Sequence, residues 1–205
     1  MKRIILPLIV SLLIIGCAGQ TPSFVTFMGE KNKYFNYTSI LGDTYPEQLV
    51  SEETEDSDPV FKSERDFKLA FGYVKEATIK YGFELGTSGA TSILGYKGKN
   101  IGLMTWGTLS LFGIDGGIAL MQAKKWNENF MTGISEYVSR NGVNRWSTNS
   151  YDLFKSYGIN DEYNEVGLGA YSSISFLDLT IEGRIGKEIG TSSWRYYVTA
   201  GFYWE

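Results

Sequence analysis

The segment 194–204, WRYYVTAGFYW, shows the strand pattern of this chain most clearly. Apolar and aromatic side chains stand at the even numbers from 196 to 204, and arginine, tyrosine, threonine and glycine stand between them. A period of two residues predicts a β-strand with one apolar face and one mixed face. The same period recurs in several earlier segments, at 67–74, 79–86, 166–171 and 178–186.

The composition favours strands and tight turns over helices. The 205 residues include 24 Gly and 14 Tyr but only 4 Pro, and an average protein has only ~7% glycine. Helical spacing of apolar residues is nearly absent, with 151–157 as a candidate for a single turn. We therefore predict an all-β chain of one domain, or one domain with a tail, which is long enough to close a small barrel.

Charged residues in these segments fall on the face that also carries glycine, tyrosine and threonine; they are Lys68, Lys80, Glu84, Asp178, Glu182, Arg184 and Arg195. Small residues mixed with charges suit the interior of a narrow membrane barrel, and the aliphatic and aromatic face suits lipid. Charges shielded from water must pair, so we predict a lumenal salt-bridge network, with ion conduction as the alternative use of these groups. Glu84 would pair with Lys68 or Lys80, and Glu182 or Asp178 would pair with Arg184 or Arg195. Of these, the stronger coupling would join Glu182 to Arg195 across the strands.

A change of parity marks a tight turn between the last predicted strands. Apolar residues stand at even numbers from 166 to 170 and at odd numbers from 177 to 181, so a turn at 173–176 must reverse the chain. This strand, short turn and strand, with the aromatic C-terminal strand, resembles the small outer-membrane β-barrels, the OmpA- and OmpX-like proteins. The resemblance implies an antiparallel up-and-down barrel in a bacterial outer membrane, with interfacial aromatic residues at Phe67, Tyr73, Trp194 and Trp204.

The number of strands depends on how two further segments are interpreted. If the strands begin at 67, the barrel has eight, and 125–162 is one long surface loop. If 34–41 and 129–140 are also strands, the barrel has ten. The predicted organisation is a leader at 1–16, an N-terminal segment with an acidic linker at 17–66, and the barrel at 67–205. Within that N-terminal segment, 23–28 is predicted as a short strand.

The first residues indicate export. Lys2 and Arg3 precede the apolar run 4–15, which is too short to span a membrane and is typical of a signal peptide. The segment 13–17, LIIGC, resembles the bacterial lipobox. That resemblance implies cleavage before Cys17 and attachment of palmitate or a similar acyl chain to its thiol and amine. A conventional signal cleavage after Ala18 is the alternative.

Several classes of chemistry are excluded by what the chain lacks. With no histidine and only Cys17, it can form neither a histidine-activated nucleophile nor a histidine or cysteine metal site, and no internal disulfide. We predict no enzyme activity, no metal and no cofactor. The formal net charge of −4 argues against a nucleic-acid partner. The acidic run 47–58 has the composition of a solvated linker and lacks the pattern of a calcium loop.

The segment 125–162 contains seven aromatic residues with Arg140 and Arg145, a composition that binding surfaces use; the seven are Trp126, Phe130, Tyr137, Trp146, Tyr151, Phe154 and Tyr157. It predicts a surface ligand of unknown identity, unless two further strands bury these residues. The whole sequence predicts a non-enzymatic outer-membrane β-barrel lipoprotein in contact with membrane lipid, with a structural, adhesive or narrow-pore role. The alternative is a periplasm-facing lipoprotein with a soluble, lipocalin-like barrel that binds an apolar ligand.

Overall fold

The computed structural model describes residues 22–29, 33–46, 61–87, 89–110, 113–146, 158–191 and 193–204. These residues form ten antiparallel strands, one short α-helix and one 3₁₀ helix. The helix α1 comes first, at Phe24–Met28. The strands follow as β1 Lys33–Pro46, β2 Phe61–Lys75, β3 Ile79–Gly86, β4 Gly89–Lys97, β5 Ile101–Ser110, β6 Gly113–Asn127, β7 Phe130–Trp146, β8 Gly158–Ile174, β9 Leu179–Glu188 and β10 Trp194–Trp204.

Each strand pairs with the next along the chain, and β1 pairs with β10, so the sheet closes into an up-and-down barrel. At the seam, Tyr34 lies opposite Trp204 on one side and opposite Tyr73 on the other. The predicted all-β fold and its ten-strand alternative are confirmed, whereas the eight-strand count is not. The barrel already includes 33–46 and 61–66, although the sequence places its start at 67.

The two ends of the barrel differ in their connections. β1 begins and β10 ends at one end, which we call the termini end; its turns are 76–78, 98–100, 128–129 and the four residues 175–178. The longest connections, 47–60 and 147–157, join strands at the opposite end and lie outside the described residues, as does the single turn predicted at 151–157. Most of the predicted loop 125–162 belongs to β6, β7 and β8. Of its aromatic residues, Tyr137 is buried, while Trp126 and Phe130 are exposed.

Side chains alternate between the inside and the outside of the barrel as the period of two predicts. β10 alternates between exposed and buried residues along its whole length, and the charged residue Arg195 lies inside while Val198 lies outside. The outward residues are largely apolar, among them Phe71, Phe83, Leu94, Leu103, Ile118, Leu168, Ile185 and Val198. In the described part of the chain, no helix is both long enough and apolar enough to cross a membrane.

The segment predicted as a strand at 23–28 is instead the helix α1, and it lies inside the barrel. Phe24, Val25, Phe27 and Met28 are all buried, and α1 contacts β6, β8 and β9. Because the barrel wall covers this helix on all sides, its apolar residues are not confined to one face. The sequence therefore shows neither the period of two typical of a strand nor the period of 3.6 typical of an amphipathic helix. Residues 22–29 form what we call the N-terminal plug.

Candidate functional site

Inside the lumen, Glu182 and Arg184 hold the first residues of the N-terminal plug. Both project inward from β9 because residues two apart share a face of a strand. One oxygen of the Glu182 carboxylate accepts hydrogen bonds from the Ser23 hydroxyl at 3.1 Å and the Phe24 amide at 3.0 Å. Arg184 Nε lies 3.3 Å from the other oxygen, and its Nη1 donates to the Pro22 carbonyl at 3.4 Å. We call these two residues the inner clamp.

A second set of charges holds the plug near the termini end. Lys80 Nζ donates to the carbonyl oxygens of Phe27 at 2.9 Å and Gly29 at 2.5 Å. Lys97 Nζ donates to the same Gly29 oxygen at 2.7 Å. Glu76 forms ion pairs with both lysines. We call Glu76, Lys80 and Lys97 the outer clamp.

Between the clamps, apolar side chains of the barrel wall contact the plug. The Phe24 ring packs against Trp106 and Tyr137, with centroid distances of 5.9 and 5.5 Å. The other buried wall residues of this apolar belt include Phe35, Val74, Ile93, Met104, Ala119 and Met121. Burial of four apolar plug side chains therefore adds hydrophobic stabilisation to the polar clamps.

Lys68 and Glu84 form a separate ion pair on β2 and β3. Their Nζ and Oε1 atoms are 2.6 Å apart and both side chains are buried. The Tyr37 hydroxyl lies 2.8 and 2.9 Å from the two carboxylate oxygens. The carboxylate thus has a cation and a hydrogen-bond donor, which a buried charge requires. The sequence left Lys68 and Lys80 open as partners of Glu84, and the structure places Lys68 there.

Arg195 belongs to a third cluster, centred on Glu165. The Tyr197 hydroxyl donates to Glu165 at 2.6 Å, and the Tyr137 hydroxyl also donates to this carboxylate. Arg195 lies 4.0 Å from Glu165 and 2.9 Å from Glu188. Of the two arginines that the sequence left open for Glu182, the structure places Arg184 beside it, whereas the stronger coupling was predicted with Arg195. Glu165 was not among the predicted residues, although its position next to the outward Val166 assigns it to the inner face.

Asp178 does not join the lumenal charges. It is exposed at the turn between β8 and β9 and follows the 3₁₀ helix Ser175–Leu177 with φ 50°, a left-handed conformation that Asp tolerates better than most residues. The prediction extended the alternation of β9 one residue too far, into the turn. Cys17 and the acidic run 47–58 lie outside the described residues.

The lumenal carboxylates of the described residues are each held by other protein groups. Over the ranges from residue 22 to 204 that the structure describes, no group of three or more His, Cys, Asp or Glu side chains is placed to hold a metal ion. The lumenal carboxylates are instead engaged by lysine, arginine, tyrosine and main-chain groups. The arrangement binds a peptide segment and neutralises buried charges.

Three solved structures have similar folds at low identity. Neisserial surface protein A shares 9% identity at a TM-score of 0.40, over 83% of this chain and 95% of that chain. The attachment invasion locus protein Ail of Yersinia pestis, in complex with the heparin analogue sucrose octasulfate, shares 11% at 0.35, over 86% and 100%. The N-terminal β-barrel domain of Pseudomonas aeruginosa OprF shares 6% at 0.35, over 85% and 100%. No family model and no curated protein matches the chain.

Proposed function

We propose that the chain is a non-enzymatic β-barrel lipoprotein of the bacterial outer membrane with a structural or adhesive role. The barrel would span the membrane, and an acylated Cys17 would anchor the N-terminus in the adjoining leaflet. Strands, a lumen filled by the plug and a lipid anchor would together form a closed, membrane-bound scaffold.

The observation that carries this proposal is the inverted polarity of the barrel. Lys68, Glu84, Glu182 and Arg195 are at most 2% exposed inside it, while the outward residue Phe83 is 52% exposed. A soluble, lipocalin-like barrel would need the opposite arrangement, with water outside and an apolar interior. A closed barrel also pairs its backbone groups without leaving an edge, which is a requirement for strands that cross lipid.

Strand length and aromatic placement support the same proposal. The strands have 8 to 17 residues, and about 9–11 tilted residues cross a hydrocarbon core. At the termini end Tyr34 packs against Tyr73 and Trp204, with centroid distances of 4.9 and 6.2 Å, as expected for an interfacial girdle. The start of β1, the end of β10 and the short turns share this end, which we assign to the periplasm.

The N-terminal plug argues against the narrow-pore role. Residues 23–25 and 27–28 are buried inside the barrel, and polar contacts hold both ends of the plug. A structural or adhesive role is therefore favoured over conduction. We propose that any adhesive ligand binds at the opposite end, where 147–157 joins β7 to β8.

We expect the chain to enter membranes without its anchor. A Cys17→Ser variant, folded in the presence of phospholipid vesicles, should float with them and carry no steady ionic current, because strands and not the acyl chains hold it there. The measurements are vesicle flotation and planar-bilayer conductance. A variant that folds as a monomer in detergent-free buffer would favour the lipocalin-like alternative, and a steady current would favour the pore.

The anchor itself is tested in the native host. Cys17→Ala should abolish incorporation of radioactive palmitate and leave an unprocessed or differently cleaved precursor, because the thiol is the predicted acceptor. The control Ser11→Ala changes the apolar run but keeps Cys17, and should be labelled as the parent is. Equal labelling of Cys17→Ala, or no label in the parent, would contradict lipidation.

A further inference from the structure

Most polar contacts between the barrel and the N-terminal plug are made to its main chain. Glu182 accepts from the Phe24 amide, and Arg184 donates to the Pro22 carbonyl. Lys80 donates to the carbonyls of Phe27 and Gly29. Among the described residues, the Ser23 hydroxyl adds a side-chain hydrogen bond from the plug to the barrel, which Glu182 accepts. Such contacts recognise a peptide backbone of a given length and conformation.

The apolar belt supplies the side-chain part of this recognition. The rings of Phe24 and Phe27 are fully buried three positions apart, and Phe24 is held by Trp106 and Tyr137. Arg184 lies 5.1 Å from the Phe24 ring centroid and Lys80 lies 5.7 Å from that of Phe27. Each aromatic side chain therefore has a cation beside it, which adds attraction to apolar burial.

We propose that the lumen is a peptide-binding site and that the N-terminal plug is its resident, exchangeable ligand. The site takes a short apolar peptide with a hydroxyl residue at its start and aromatic residues one and four positions later. The hydroxyl and the first amide bind Glu182, and the last carbonyls bind Lys80 and Lys97. This inference rests on the proposed function in one respect: it assumes that a membrane surrounds the barrel.

The resident plug competes with any free peptide. Residues 30–32 alone join it to β1, and a short tether keeps a ligand at an effective concentration in the millimolar range. A free peptide at micromolar concentration therefore cannot displace it. Deletion of 22–29 should open the site to the free peptide, with binding at least 100-fold tighter than to the full chain.

The first experiment measures binding of a fluorescent peptide with the sequence of 22–29, PSFVTFMG, acetylated and amidated. The deletion variant in vesicles should bind it, and a peptide with both phenylalanines replaced by alanine should bind far more weakly. In the deletion variant, Glu182→Gln should weaken binding about tenfold or more, since the carboxylate accepts three plug hydrogen bonds, from Ser23, Phe24 and Val25. Asp178→Asn removes an exposed carboxylate and should leave binding unchanged.

A second experiment tests exchange in the full chain. A Cβ at Gly102 would strike the Met28 sulfur, and the other atoms near it belong to the flexible side chains of Met28 and Met121. Gly102→Leu should therefore displace the plug with little strain in the wall. With Val25→Cys as the reporter in a Cys17→Ser chain, Gly102→Leu should speed labelling by a soluble maleimide at least tenfold. Gly183→Leu, at an outward position with open space, should not.

Two results would overturn the proposal. One is a folded deletion variant that binds neither peptide, or both equally. The other is equally slow labelling in the Gly102→Leu and Gly183→Leu chains, which would make the plug a permanent part of the core; this result decides the matter if the deletion variant does not fold. Neither result affects vesicle flotation, so the proposed membrane function is tested separately.

Discussion

Arg184→Gln should destabilise the barrel by about 3–5 kcal/mol, because it leaves the Glu182 carboxylate buried without its cation. The two groups are 3.3 Å apart and neither side chain is exposed. Arg184→Gln also removes the guanidinium that donates to the Pro22 carbonyl, so the N-terminal plug should loosen. Urea unfolding in vesicles measures the change in the free energy of unfolding.

The paired variant separates this explanation from a simple loss of packing. Glu182→Gln combined with Arg184→Gln should cost less than the two single changes added together, since no isolated charge remains. Arg195→Gln should be additive with Glu182→Gln, because Arg195 pairs with Glu188 and Glu165. The control Lys187→Gln, on the outer face of β9, should cost well under ~1 kcal/mol. Additive losses of under ~1 kcal/mol throughout would show that water solvates these groups.

Phe83→Arg should destabilise the barrel by about 2–4 kcal/mol if lipid covers its outer surface near the bilayer midplane. Phe83 lies in the middle of β3, opposite Tyr73 and Ser92 on the neighbouring strands. In a soluble barrel the same change would place a charge in water, with an effect within about 0.5 kcal/mol. The sign and size of the change therefore distinguish membrane from water at this face.

The matched control is Phe176→Arg. Phe176 is 70% exposed in the turn at the termini end, beyond the strands that would cross the membrane. Arginine there should be tolerated and should favour association with anionic headgroups. Equal effects at Phe83 and Phe176 would contradict a lipid-facing wall.

The sequence did not predict the position of the N-terminal plug or the full set of lumenal ion pairs. Glu182 was assigned to the inner face, but its partner was chosen by strand adjacency alone. The register places Thr199 opposite Glu182, and Arg195 opposite Gly186. This offset carries Arg195 toward Glu188 and Glu165 and leaves Arg184 for Glu182. The register of this β9–β10 hairpin is set by the length and type of its connecting turn, which a period of two does not specify.

From the sequence alone, the direction of the side chains could be predicted for the cleanly alternating strands after 67, because a period of two is a local property of extended backbone. That was enough to predict an all-β barrel with charges inside. The closure of ten strands, the pairing of the lumenal charges and the position of 22–29 inside the lumen depend on contacts between distant parts of the chain. The physical reason is that the cavity receiving Phe24 and Phe27 exists only after β1 has paired with β10.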